Sequence, residues 1–312
     1  MCGFIHKPVL LREVLEALRV GPGGRWADLT CGGGGHSEAI LEASSPDGFL
    51  WACDQDGDAI EATSERLKRF AGRWEIRRMN FSGLNQWLGA GRLDGVLMDL
   101  GVSSHQLDTP ARGFSFQSDG PLDMRMDVRG GMTAADVVNG WAAGDLARLF
   151  RELGGETEAG RMARAIESER RARPFTSTGQ LAACIERVSP RRGRRSHPAT
   201  RCFQALRMWV NREMESLGEG LGSAWRALKR GGRLAVITFH SGEDRLVRDF
   251  MRLEAREYDM PPGQPDVPEL RIPRAARARL VSRRAILPGE AEQEENPRAR
   301  SAQLRVAEKL ED

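Results

Sequence analysis

Asp28-Leu29-Thr30-Cys31-Gly32-Gly33-Gly34-Gly35-His36-Ser37 stands between an apolar run at 26–30 and a helical pattern at 36–43. A strand that ends in glycines and reopens as a helix lets the main chain approach a ligand closely. The helix start then offers unpaired N–H groups. Asp28, placed ahead of the glycines, repels a pyrophosphate and suits a cationic or amine-bearing ligand. Ser37 or Glu38 occupies the place of the third glycine in G-x-G-x-x-G, which disfavours a dinucleotide. Nineteen positions after Gly35, a second apolar run ends at Asp54. A carboxylate there can accept both ribose hydroxyls of an adenosine, whether in NAD or in S-adenosylmethionine.

Working outward, apolar runs at 26–30, 49–54, 76–79 and 93–100 alternate with helical patterns at 6–18, 36–43 and 58–70. Such alternation predicts an α/β fold with a doubly wound, mostly parallel sheet. The next strand pattern, 233–239, comes only after roughly 130 residues, too long for an ordinary crossover. Helical patterns at 145–153, 157–171 and 177–188 fill that interval, followed by a loop at 190–198. The spacing of Phe203, Leu206, Val210, Met214, Leu217, Leu221 and Leu228 predicts one long amphipathic helix returning to the sheet. A final strand is expected at 302–307. The division that follows is a sheet domain in two parts, 1–106 and 201–312, with an inserted all-helical domain at 107–200.

Hydrophobic residues make up 40% of the 312 and charged residues 29%, enough for a large core and a solvated surface. A net charge of +3 does not by itself indicate a nucleic-acid partner. Lys7, Arg12, Glu13 and Glu16 interrupt the first apolar stretch, so no signal-peptide core fits, and no run is long enough to span a bilayer. Cys2, Cys31, Cys53, Cys184 and Cys202 show no C-x-x-C spacing, which fits free thiols in a cytoplasmic protein.

Two more strand ends join the first pair. Asn80-Phe81 closes the third strand, and Phe81 reads either as a platform for adenine or as core. Asp99-Leu100-Gly101-Val102-Ser103-Ser104-His105-Gln106 closes the fourth. In an open α/β sheet all of these collect at one edge, where ligands bind.

Further motifs run nearly end to end: His6-Lys7-Pro8-Val9-Leu10-Leu11, Arg112-Gly113-Phe114-Ser115-Phe116, Gly120-Pro121-Leu122-Asp123-Met124-Arg125-Met126-Asp127, His197-Pro198-Ala199-Thr200-Arg201, Phe239-His240-Ser241 and Asn296-Pro297-Arg298-Ala299-Arg300-Ser301. Together the sequence resembles the bacterial small-subunit ribosomal RNA (cytosine-N4)-methyltransferases. The resemblance implies a Rossmann-like S-adenosylmethionine methyltransferase sheet with a helical insertion. It implies methylation of the exocyclic N4 of a cytidine in the decoding region of 16S ribosomal RNA. It also implies that Gly34, Gly35 and His36 contact the cofactor, with Asp54 at the ribose and Phe81 by the adenine. Asp99 and Gln106 would complete the pocket. Gly242 and Gln303 depart from residues usual in that family.

Methylating an exocyclic amine needs alignment of donor and acceptor and a hydrogen-bond acceptor for the amine. Asp99 is the candidate catalytic residue, with binding of the methionine amino group as its alternative role. Phe114 and Phe116 are candidates to stack on a flipped cytidine, or else anchors of an ordered loop. Arg191, Arg192, Arg194 and Arg195, with a second run at Arg161, Arg164, Arg170, Arg171 and Arg173, read as a phosphate-binding edge. Asp119, Asp123 and Asp127 lack the register of a calcium loop and face nearby arginines, so an ion-pair network is expected and no metal. His240 stays open between a base contact and packing. The expected partner is the small ribosomal subunit, assembled or nearly so, with a homodimer also open. Competing readings are an RNA-binding ribosome-assembly factor without catalysis and an NAD-dependent oxidoreductase.

Overall fold

The computed structural model describes residues 8–190 and 196–311. They fall into two compact units. One is Val102–Glu215; the other joins the described residues up to Gly101 with those from Ser216 onward.

The second of these holds the sheet. Its strands are β1 (Arg25–Asp28), β2 (Phe49–Asp54), β3 (Trp74–Arg78), β4 (Leu93–Asp99), β5 (Leu228–Thr238), β8 (Ala278–Leu280) and β9 (Gln303–Lys309). The order is β3-β2-β1-β4-β5-β9-β8, while β6 (Tyr258–Asp259) and β7 (Ile272–Pro273) form a separate ribbon. The first five strands run parallel, and β9 and β8 close the edge antiparallel. Helices α1 (Leu11–Leu18), α2 (Gly35–Ala43), α3 (Gly57–Leu67), α11 (Ser241–Glu254) and α12 (Glu290–Glu295) belong to this unit, as does all but the first turn of α10 (Glu213–Ala227).

Successive strand residues point to opposite faces, so each strand feeds two cores. Leu97, Ala235, Ile237, Leu304 and Val306 pack with Val14 and Leu18 of α1 and Ile40 and Leu41 of α2. Val96, Met98, Leu234, Val236 and Ala307 pack with Leu217, Leu221 and Ala224 of α10 and Val247 and Met251 of α11. The expected strand at 302–307 is β9, and the Rossmann-like α/β reading holds.

The other unit contains α4 (Ser104–Asp108), α5 (Ala134–Gly140), α6 (Ala143–Glu152), α7 (Ala159–Arg170), α8 (Thr178–Val188) and α9 (Thr200–Val210). Its core is made by Leu146, Phe150, Met162, Ile166, Leu181 and Ile185, together with Cys202 and Leu206 of α9. Because α9 packs here, the unit extends past residue 200. The two short helices α4 and α5 have too few turns to show a period, and each is fixed by a capping box, from Ser103 and Thr133.

One expectation is corrected. The long helix across 203–228 is two helices, α9 and α10, separated at Asn211-Arg212, where Arg212 has φ +50°. The Asn211 amide accepts the Met126 N–H at 2.7 Å and donates to the Met124 carbonyl at 2.8 Å. The break is set by a loop some 85 residues earlier, which helical periodicity cannot report. Among the described residues no helix is long and apolar enough to cross a membrane.

Candidate functional site

The sheet brings Asp28, Asp54 and Asp99 to the same edge. All three stand at the carboxyl ends of adjacent parallel strands, with β1 between β2 and β4. The strand order reverses between β1 and β4, the switch point beside which open α/β sheets bind ligands.

The glycine turn is built by hydrogen bonds that end on these acids. Asp28 is fully buried; its carboxylate accepts from Ser37 Oγ at 2.6 Å and from the Thr30 N–H at 3.2 Å. Both oxygens therefore serve the turn itself, tying strand end to α2. Asp28 is 0% exposed, unlike the partly exposed Asp54, and it is this burial that corrects the reading of Asp28 as a partner for a cationic ligand. Asp54 accepts the Gly32 N–H at 3.0 Å and the Asp56 N–H at 3.0 Å. Thr63, from α3, donates to the Gly32 carbonyl at 2.9 Å. Gly32 and Gly34 have φ of +49° and +77°, which explains two glycines by conformation. A Cβ at Gly34 would press on Thr63 and one at Gly35 on Pro8, so both places are tight.

Burial raises the Asp28 carboxyl above its ordinary value and lifts that of Asp54 to about 6, against the two hydrogen bonds Asp54 accepts. The same burial pushes the Cys31 and Cys53 thiols well up, as expected of small core residues rather than nucleophiles.

Asp99 and His36 form the polar end of the crevice. The His36 ring is 5% exposed, and its Nε2 lies 3.6 Å from Asp99 Oδ2, outside hydrogen-bond range. Both ring nitrogens of His36 and Oδ1 of Asp99 are buried with no hydrogen-bond partner among the described residues. The Asp99 N–H donates to Thr30 Oγ1 at 2.6 Å, which fixes the backbone beneath it. Three such atoms in one place, without partners among the described residues, make this a candidate ligand site.

The remaining residues are placed as follows. Phe81 follows the end of β3, opens a short 3-10 turn at Phe81–Gln86, and sets its ring edge against Gly220 of α10. Gln106 belongs to the helical unit, buried and engaged in the capping box with Ser103 at 3.0 Å. Phe114 is 6% exposed and packs in the core of that unit. Its stacking role is corrected to that of a loop anchor. Phe116 packs edge-on against Phe203 at 4.7 Å and beside His197 at 4.8 Å. Asp123 pairs with Arg125 and Asp127 with Arg129, whereas Asp119 accepts the Gly179 N–H at 2.7 Å at the start of α8. His240 caps α11, its Nδ1 accepting from the N–H groups of Gly242 and Glu243. Gly242 thus sits in the first turn of a capped helix, and Gln303 opens β9.

Arg191, Arg192, Arg194 and Arg195 lie outside the described residues, as do His6 and Lys7. In the second run, Arg170 and Arg171 pair with Glu167 and Arg161 with Glu158, while Arg164 and Arg173 are exposed with no carboxylate partner among the described residues. Sequence reasoning missed Thr30, which stands inside the glycine stretch but carries neither a charge nor glycine's freedom, and Thr63, which stands in no motif.

A model of the MraW methylase family matches residues 3–310. The chain is 49% identical over 312 residues to Ribosomal RNA small subunit methyltransferase H of Syntrophotalea carbinolica, covering 98% of each. It is likewise 49% identical over 311 residues to the protein of that description from Carboxydothermus hydrogenoformans, again 98% of each. A crystal structure of an rRNA methylase from Streptococcus thermophilus aligns with TM-score 0.43 and 11% identity, over 98% of this chain and 99% of that one.

Proposed function

The chain belongs to the MraW methylase family, and on that premise we propose that it methylates small-subunit ribosomal RNA with S-adenosylmethionine, at the exocyclic N4 of a cytidine in the decoding region. Its relatives at 48–49% identity are ribosomal RNA small subunit methyltransferases, and the sheet edge carries residues of suitable chemistry.

The observation that carries the cofactor assignment is the set of uncommitted buried atoms on His36 and Asp99. A carboxylate with a free buried oxygen is suited to the ammonium group of a methionine moiety. Asp54 uses two of its roughly four lone-pair directions on Gly32 and Asp56, leaving two for ribose hydroxyls. Gly34 and Gly35 bring the main chain close, and Phe81 borders the adenine end. Gln106 is assigned by motif position alone. When bound, the cofactor supplies an electrophilic methyl group on a sulfonium.

The protein's own contribution is alignment and the exclusion of water. Asp99 holds the methionine ammonium; a second reading, in which it accepts an N–H of the target amine, rests on the same free oxygen. Exposed arginines of the helical unit, with the run at 191–195, receive the RNA phosphates. The substrate is the assembled or nearly assembled small subunit in the cytoplasm.

Thermal shift with S-adenosylhomocysteine and with NADH tests the cofactor: stabilisation by the first alone is expected, and by NADH alone would overturn the reading. Label transfer from methyl-labelled cofactor to unmodified small subunits, compared with naked ribosomal RNA, tests the acceptor. Binding of the cofactor without transfer to either would leave a ribosome-assembly factor in place of an enzyme.

A further inference from the structure

The Asn80 side chain hydrogen-bonds to three residues outside the set assigned to the cofactor, and so connects the segments that frame the nucleoside end of the site. Its Oδ1 accepts the Ser82 N–H at 2.9 Å and so caps the 3-10 turn that carries Phe81. Its Nδ2 donates to Gln55 Oε1 at 3.1 Å and to Ser216 Oγ at 3.1 Å. Gln55 directly follows Asp54, and Ser216 lies in the first turns of α10, whose Gly220 receives the Phe81 ring. The amide orientation is fixed by the Ser82 N–H, which requires an oxygen facing it. With its oxygen on Ser82 and its NH2 on Gln55 and Ser216, the Asn80 amide uses its acceptor and both donors at once.

The segment 78–80 holds Asp54-Gln55 at two further points. The Met79 N–H donates to the Asp54 carbonyl at 2.9 Å, and Arg78 Nε to the Gln55 carbonyl at 3.3 Å. Those bonds fix the main chain after β2, and Asn80 fixes the Gln55 side chain, so the Asp54 carboxylate and the Phe81 ring are set relative to one another. β3 is an edge strand, joined to the sheet through β2.

We propose that Asn80 is a positioning residue for the nucleoside half of the cofactor, holding Asp54 and Phe81 in register through Gln55, the 3-10 cap and α10. This rests on the cofactor reading above. Its effect falls on cofactor affinity, because the chemistry takes place at the Asp99 end.

The test is calorimetric titration of S-adenosylhomocysteine into the wild type, Asn80→Ser and Gln55→Ala, alongside steady-state kinetics. Asn80→Ser keeps a cap acceptor for Ser82 and removes both donors. Loss of these bonds is expected to weaken binding about tenfold, on the order of one lost net hydrogen bond or slightly more. KM for the cofactor should rise by the same factor while kcat at saturation stays within about twofold. Gln55→Ala should weaken binding in the same direction, and the double variant should lose less than the sum of the two. Asn80→Ser and Gln55→Ala both binding as the wild type does, or a fall in kcat with unchanged KM, overturns the proposal. If Asn80→Ser does not fold, Gln55→Ala decides alone. A wild type that binds no S-adenosylhomocysteine overturns the cofactor reading, and this proposal with it.

Discussion

Asp54 illustrates how one carboxylate acts on both stability and binding. Its folded value of about 6 stands above the ordinary 3.8 because burial disfavours the charge. The folded state therefore holds this proton more tightly than the unfolded chain. The stability it contributes is fully present below about pH 4 and is lost as pH rises through about 6. Ligand binding runs the other way, since ribose hydroxyls need the ionised acceptor. Affinity for S-adenosylhomocysteine should fall by up to about tenfold per pH unit below 6, and Asp54→Asn should bind weakly with little pH dependence. A flat calorimetric profile from pH 5 to 8 in the wild type would remove Asp54 from the site. For Asp99, whose Oδ1 is buried and unsatisfied, Asp99→Asn should reduce both cofactor affinity and turnover. Full turnover with unchanged affinity would exclude both roles given to it.

At the scale of elements, strands and their ends were legible because they depend on local patterns. The apolar runs at 26–30, 49–54, 76–79 and 93–100 mark β1 to β4, and the terminal acids of β1, β2 and β4 needed only the rule that ligands gather at the carboxyl edge. What was hidden depends on distant partners. Asn211 breaks the helical stripe because Met124 and Met126 claim its amide. Asp28 reads as ligand-facing in sequence, whereas the fold buries it fully against Ser37 and Thr30. His240 was undecided from sequence because a histidine cap has no pattern as clear as serine or aspartate. Packing of the 3-10 turn on α10 gives a direct test. A Cβ at Gly220 would overlap the Phe81 ring, so Gly220→Ala should cost roughly 1–3 kcal/mol from overpacking and weaken cofactor binding as Phe81 shifts. An unchanged melting temperature and unchanged affinity together would show that the ring is not held there. Removing the α11 cap with His240→Ala should cost about 1 kcal/mol, read in urea denaturation; loss of methyl transfer without loss of stability would instead give His240 a part in the reaction.

For the molecule as a whole, composition said little, with 47 basic against 44 acidic residues. The distribution carries the argument, because Arg164 and Arg173, without a carboxylate partner among the described residues, belong to the helical unit, and four more arginines follow in sequence at 191–195. Binding to the small subunit should weaken steeply with salt, as counterions are released from phosphates. Replacing Arg191, Arg192, Arg194 and Arg195 by Ala should flatten that slope while leaving S-adenosylhomocysteine binding intact. A salt response that is already flat in the wild type would place the RNA elsewhere. The central claim, that the crevice methylates a cytidine amine in small-subunit RNA, is tested most directly by nucleoside analysis. Unmodified small subunits are incubated with labelled S-adenosylmethionine, and the RNA is digested to nucleosides. Recovery of the label as N4-methylcytidine is the predicted result. Label in any other nucleoside, or none from a protein that binds S-adenosylhomocysteine, would contradict it.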